Sequence, residues 1–220
     1  MILAQIIELL APLECAGCTR QGAAMCAECL ATAVADLPEV CYGCGRASVD
    51  WRTCEQCSPD TELAGVTVGA SYDGPVKELV LQLKFHRLRR AAEAAAQIVA
   101  ARSAAWPAGA MVTSVPIAAS RYRERGYNQS ELVARQVAKR LGLPYLSLLR
   151  RTTATHQIGL DRRSRLEQIA GVFYAPRAVE ARPVVVIDDV VTTGATLAEC
   201  AVVLRAAGAM EVWGAAIARH

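Results

Sequence analysis

Two adjacent aspartates, Asp188 and Asp189, end the apolar run "PVVVI", and Thr192, Thr193 and Thr196 follow around Gly194. Neighbouring carboxylates at the end of a buried strand can each accept hydrogen bonds from a vicinal diol such as that of a ribose. The stretch Thr192, Thr193, Gly194, Ala195, Thr196 stands just before a helical pattern. Backbone N–H groups at a helix start favour an anion. The threonines add hydroxyl donors, and the glycine lets the backbone come close to a ligand. Such a constellation holds a phosphate monoester beside a sugar diol. The stretch contains no lysine and the chain has no G-x-x-x-x-G-K-[ST], which excludes a P-loop, and G-x-G-x-x-G is also absent.

Eight of the nine cysteines stand in four C-x-x-C pairs: Cys15 and Cys18, Cys26 and Cys29, Cys41 and Cys44, Cys54 and Cys57. A C-x-x-C turn offers two thiolates to one ion, and two such turns complete a tetrahedral site. The eight cysteines therefore predict two structural Zn²⁺ sites with no ligand position left open for chemistry. Glycines in "CAGC" and "CYGCG" suit a tight knuckle. Neighbouring pairs can share an ion, or the pairs can cross-brace; the spacing alone leaves both open. Cys200 stands apart and reads as a small core residue.

The elements that would carry these groups follow from pattern. The cysteine stretch ends near Ser58-Pro59-Asp60, which predicts a zinc-ribbon-like module over 1–60 and a second domain over 61–220. Beyond the boundary, strands are expected at 65–72, 111–116, 145–150, 171–175, 183–188 and 211–219. Helices are expected at 75–85, 89–105, 129–141 and 195–207. The apolar 183–188 run suits a parallel strand covered on both faces. Alternation of strands and helices predicts an open, mostly parallel α/β sheet. The apolar start "MILAQIIELLAPLEC" reads as a packing helix rather than a leader, since it lacks a basic head and Glu8 interrupts it. No apolar run approaches the roughly 18 residues of a membrane span, so a cytoplasmic protein is expected.

Formal net charge is only +3, but residues 1–60 carry −5 and residues 77–165 carry +12. Two four-thiolate zinc sites would take the head to about −9. Phosphate backbones demand the opposite sign. A nucleic-acid contact would therefore fall on the basic middle, where Tyr122 and Tyr127 lie among Arg121, Arg123 and Arg125 and stacking could assist.

The stretch "VVVIDDVVTTGATL" resembles the PRPP-binding motif of type I phosphoribosyltransferases: an apolar strand, two acids, then T-T/S-G-x-T. "VPIAASRYRERGYNQSELVARQVAKRLGLP" is similar to the pyrophosphate loop and following helix of that fold, and "LLRRTTATHQIGLDRRSR" takes the place of its flexible lid. With four C-x-x-C pairs in front, the whole chain resembles the ComF family of competence-associated bacterial proteins. The resemblance implies that Asp188 and Asp189 hold the ribose hydroxyls, directly or through Mg²⁺. Residues 192–196 would hold the 5′-phosphate. The backbone after Pro116, with Arg121, Arg125 and Gly126, would face the pyrophosphate, and Arg151, His156, Arg162 or Arg163 would close over it. Three readings follow: a phosphoribosyltransferase using PRPP and Mg²⁺ with an unidentified acceptor; a PRPP or nucleotide sensor without turnover; or a single-stranded DNA handling factor in natural transformation, working with other DNA-uptake proteins. Lys84 reads either as a phosphate contact or as a surface charge.

Overall fold

The computed structural model describes residues 13–34, 37–85, 88–152 and 171–220. The apolar start, His156, Arg162 and Arg163 lie outside the described residues. Four parallel strands form the central sheet: β1 (Leu63–Ser71), β2 (Met111–Ser114), β5 (Pro183–Val191) and β6 (Glu211–Arg219). Their order is β1-β6-β5-β2. Because all run the same way, their C-terminal ends share one edge, where ligands of open α/β sheets sit.

The core explains the strand assignments. Val184, Val185, Val186 and Ile187 of β5 are wholly buried, and both neighbours pair with them in register. Burying each such side chain is worth roughly 1.5–3 kcal/mol. The pattern breaks at Asp188, which is half-buried where the strand reaches the sheet edge.

Helices α1 (Ala27–Val34), α2 (Gly74–Phe85), α3 (Ala91–Ala100), α4 (Ala119–Arg125), α5 (Gln129–Leu141) and α6 (Ala195–Ala206) are the α-helices among the described residues. Alanine-rich α3 lies very close to β1: a Cβ added at Gly69 would sit 2.5 Å from Ile98 Cγ2. Helix α5 starts on Asn128, whose side chain accepts from Ser130 N, and stops at Gly142 in the left-handed region.

Three elements differ from the pattern reading. Residues 145–150 do not form a strand of their own. Tyr145 makes a single parallel bridge to Val112, with Val112 N donating to Pro144 O and Leu146 N to Val112 O, both at 2.9 Å. Residues Arg150–Arg151 (β3) and Phe173–Tyr174 (β4) pair antiparallel in a separate two-stranded ribbon. Helix α4 occupies a stretch that reads as loop, since Ala118 provides no side-chain cap.

The cysteine-rich front is joined to this sheet through main-chain bonds. Arg52 bridges Gly65, Thr53 N donates to Ala64 O at 2.8 Å, and Val66 N donates to Trp51 O at 3.2 Å. The free edge of β1 is thereby covered. Arg52 also stacks over Trp213 at 5.2 Å and pairs with Glu211 at 3.4 Å. No helix among the described residues is long and apolar enough to cross a membrane.

Candidate functional site

Strand β5 delivers Asp188 and Asp189 to the sheet edge, and α5 meets them there. Ser130 Oγ donates to Asp188 Oδ1 at 3.2 Å, and Asp189 N donates to the same oxygen at 2.8 Å. Asp189 is buried; it accepts from Gln129 Nε2 at 2.6 Å and pairs with Lys84 Nζ at 2.8 Å. The two acids therefore have different surroundings. Burial, and then the neighbouring Asp189 charge, push the Asp188 carboxyl up to about 7, against the smaller opposing pull of Lys84 and Ser130.

Beyond β5 the chain turns through Thr192 and Thr193 to Gly194, whose φ of 76° is the left-handed region that favours glycine. Gly194 is the N-cap of α6, and Ala195 and Thr196 form its first turn. Asp188, Val190, Val191 and residues 192–197 line a cavity of about 160 Å³. One wall is a carboxyl and the other a helix start.

A second cavity of about 150 Å³ opens past the end of β2, lined among others by Pro116, Tyr122, Asn128, Glu131 and Arg150. The arginines around it separate into two kinds. Arg121 and Arg123 are exposed, whereas Arg125 is buried with its guanidinium 5.3 Å from the Phe85 ring. Its Nε and Nη1 have no hydrogen-bond partner among the described residues. Tyr127 is also buried, donating its hydroxyl to Leu83 O at 2.6 Å, so its ring is not open to a stacked base. Gly126 is a turn residue at φ 77°; its carbonyl accepts from Arg89. Arg151 lies over Phe173 at 5.4 Å. Cys200 is fully buried in the core, where burial raises its thiol well above the ordinary range.

Lys84, Gln129 and Ser130 are the partners that residue types alone did not single out for Asp188 and Asp189. Their signal lay in position. Lys84 ends the α2 pattern, and Gln129 and Ser130 open α5 directly after its cap.

The cysteines gather as neighbouring pairs: Cys15, Cys18, Cys26 and Cys29 in one group, Cys41, Cys44, Cys54 and Cys57 in the other, each with its ligand atoms within 4.8 Å. Tetrahedral Zn–S bonds of about 2.3 Å place sulfurs about 3.8 Å apart. The Cys18–Cys26 and Cys44–Cys54 sulfurs are each separated by 3.7 Å. Backbone N–H groups of Gly17 and Cys26 point at Cys15 Sγ, and that of Cys54 at Cys41 Sγ, within 3.3–3.4 Å. Unlike neighbours shift the thiols of one group in opposite directions. Hydrogen bonds from Arg46 bring Cys44 down to about 6, while sharing with Cys54 and burial push Cys57 up to about 12. A divalent soft metal resolves that conflict, so both groups fit zinc.

No family model matches the chain. It is 33% identical over 213 residues to the DNA utilization protein YhgH of Salmonella typhi, spanning 90% of this chain and 86% of that protein. The Escherichia coli K12 protein of the same name is 33% identical over 210 residues, with the same coverage. Competence protein F of Haemophilus influenzae is 37% identical over 112 residues, 48% of this chain and 49% of that one. Among solved structures, the Bacillus subtilis glutamine PRPP amidotransferase complexed with ADP and GMP aligns at TM-score 0.46. The match has 24% identity and covers 63% of this chain and 30% of that chain. A parallel sheet whose edge carries a diacid and a threonine–glycine loop, fronted by two four-cysteine groups that fit a double zinc ribbon, defines an open α/β protein with a metal-binding front. The chain belongs to the family of the DNA utilization protein YhgH and competence protein F, the ComF family.

Proposed function

We propose that this protein binds PRPP with Mg²⁺ at the end of β5 and transfers its phosphoribosyl group to an acceptor. The observation that carries the reading is the cavity whose walls are Asp188 and the Gly194-capped start of α6. The 5′-phosphate lies on residues 192–196, where helix N–H groups and threonine hydroxyls meet it. Asp188 accepts from the ribose diol, while Asp189, tied to Lys84 and Gln129, fixes the strand end and lends its charge. The diphosphate extends toward Pro116 and Arg150 in the second cavity. Magnesium, when bound with PRPP, neutralises the leaving diphosphate. Asp188 would offer such a hard cation an oxygen ligand, with the Asp189 charge beside it. Placement and exclusion of water supply the remainder of the catalysis.

Calorimetry with PRPP and Mg²⁺, followed by pyrophosphate release, tests this reading. Binding with release over the solvent rate assigns an enzyme; binding without release, across candidate acceptors, assigns a sensor. Absence of binding at millimolar PRPP removes both. Affinity should also rise with pH and flatten above about 7, because the ionised Asp188 is acceptor-only and binds the diol more strongly than the protonated carboxyl does. The ligand's own phosphate titrates near 6, so Asp188→Asn is the control that should remove the Asp188 share of the slope. In the ligand-free protein the sign is opposite. A carboxyl raised in the folded state stabilises most below its unfolded pKa of about 4, and that share is lost as pH rises through about 7. A wild-type pH profile that matches that of Asp188→Asn would contradict the assignment.

A second reading rests on exposed Arg121, Tyr122 and Arg123 beside Arg150 and the second cavity. Single-stranded DNA would meet cations and an open ring there, in keeping with relatives named for DNA utilization and competence. Changing Arg121 and Arg123 to glutamate should weaken DNA binding and lower its salt slope by about 1.5 or more. Titration at two salt concentrations checks this, and an unchanged slope places the DNA elsewhere.

A further inference from the structure

The first knuckles of the two cysteine groups, CAGC and CYGC, are built alike but differ at one position. The residue after the first ligand is Ala16 in one knuckle and Tyr42 in the other. The following glycines do the same work in both, lying against Cys29 Sγ and Cys57 Sγ, where an added Cβ would come to 2.7 Å and 3.1 Å. The tyrosine is therefore not required by the knuckle.

Its ring reaches the ligand loop. A Cβ built on Gly194 would lie 2.7 Å from Tyr42 Cδ2 and 3.0 Å from Cε2, so the ring rests directly on the glycine that caps α6. The side chain is held at its far end as well. Its hydroxyl donates to Thr61 Oγ1 at 2.6 Å, and that oxygen accepts from Leu63 N at 3.2 Å, at the start of β1. Tyr42 is thus anchored by the knuckle at its backbone and by the sheet at its hydroxyl. The face between them backs the loop that lines the first cavity.

We infer that Tyr42 is a positioning residue for the 192–196 loop and couples metal occupancy of the second cysteine group to phosphate binding at that loop. An ordered knuckle holds the ring, the ring holds Gly194, and a loop already ordered costs the ligand less to organise. By linkage the ligand must then tighten the metal by the same factor. The inference rests on the reading of the loop as a phosphate site, and the first group, with Ala16, is its internal control.

The test uses the zinc-loaded full chain and ribose 5-phosphate as probe. Calorimetry measures binding of the probe. In a zinc buffer that holds the sites part-filled, thiol alkylation mapped by mass spectrometry reports occupancy cysteine by cysteine. Saturating ribose 5-phosphate should raise the apparent zinc affinity at Cys41, Cys44, Cys54 and Cys57 by about fivefold or more, leaving the Cys15 to Cys29 group unchanged. Tyr42→Ala reproduces the residue that the other knuckle already tolerates; it should remove the coupling and weaken probe binding by a similar factor. Tyr42→Phe keeps the ring and should retain most of both. Probe binding without a shift at the second group, or coupling that persists in Tyr42→Ala, overturns the inference alone. Lack of probe binding by the zinc-loaded wild type overturns the loop reading and the inference together.

Discussion

Metal analysis of this protein should give two zinc ions per chain, one for each four-cysteine group, and their removal should lower the melting temperature steeply. Structural zinc contributes on the order of 10 kcal/mol per site in small modules, more than the hydrophobic core of the cysteine-rich front can replace. Few apolar residues are buried there among the described residues: Ala24, Met25 and Trp51, beside Cys15 and Cys41. The effect will not stop at that front. Residues 51–53 cover the free edge of β1 through bonds to Ala64 and Val66, and Arg52 covers Trp213. Loss of the knuckles frees that segment and uncovers the sheet edge. A loss of only 3 kcal/mol would move the midpoint by roughly 6–12 °C in a chain of this size. Chelator-treated protein that contains no zinc and melts with the untreated sample would contradict this role.

The sheet's uneven connection to its surroundings also explains which parts of the molecule could be read from residues alone. Strand β5, helix α6 and the loop between them were legible because each signal is local: an unbroken apolar run, adjacent acids, and a glycine before a helical pattern. The cysteine groups were legible for the same reason, since the knuckle spacing is itself the geometry. Their pairing was not, because neighbouring and cross-braced arrangements have the same spacing; it emerges only where Cys18 meets Cys26 and Cys44 meets Cys54.

The region 119–130 shows where local signals fail. Arg121, Arg123 and Arg125 share one residue type, yet α4 turns Arg125 inward over Phe85 and leaves the other two in solvent. A helix of seven residues with no side-chain cap has too little periodicity to announce which side faces in. Tyr127 is lost as a stacking surface for the same reason: its burial is set by α2, through the bond to Leu83. The partners of the acids, Lys84 and Gln129, lie more than fifty residues from Asp189 in the chain and are brought to it only by the packing of α2 and α5 against the sheet edge. Tyr42 is a further case, since no feature of a knuckle sequence says that its ring will meet Gly194.

Asp189→Asn is expected to cost stability as well as ligand affinity, although the substitution preserves shape. The side chain is only 11% exposed and its partner Lys84 only 19%. Oδ1 faces the lysine ammonium at 2.8 Å and Oδ2 faces the Gln129 amide at 2.6 Å. An asparagine has one acceptor for these two donors, so its own NH₂ must face a donor whichever way it turns. The lysine then loses the carboxylate it touches and keeps only the more distant Asp188, which offsets part of the roughly 3–5 kcal/mol that breaking a buried pair costs. Replacing the lysine as well, in Asp189→Asn with Lys84→Met, removes the stranded charge and should restore part of the loss. Urea unfolding of the wild type, both single variants and the double variant gives the coupling directly. A value of about 1.5 kcal/mol or more would mark a buried pair that fixes the strand end beneath the ligand. A coupling below about 0.5 kcal/mol, the size found for exposed ion pairs, would mean that Lys84 is a solvated surface charge after all and that Asp189 is held by Gln129 alone.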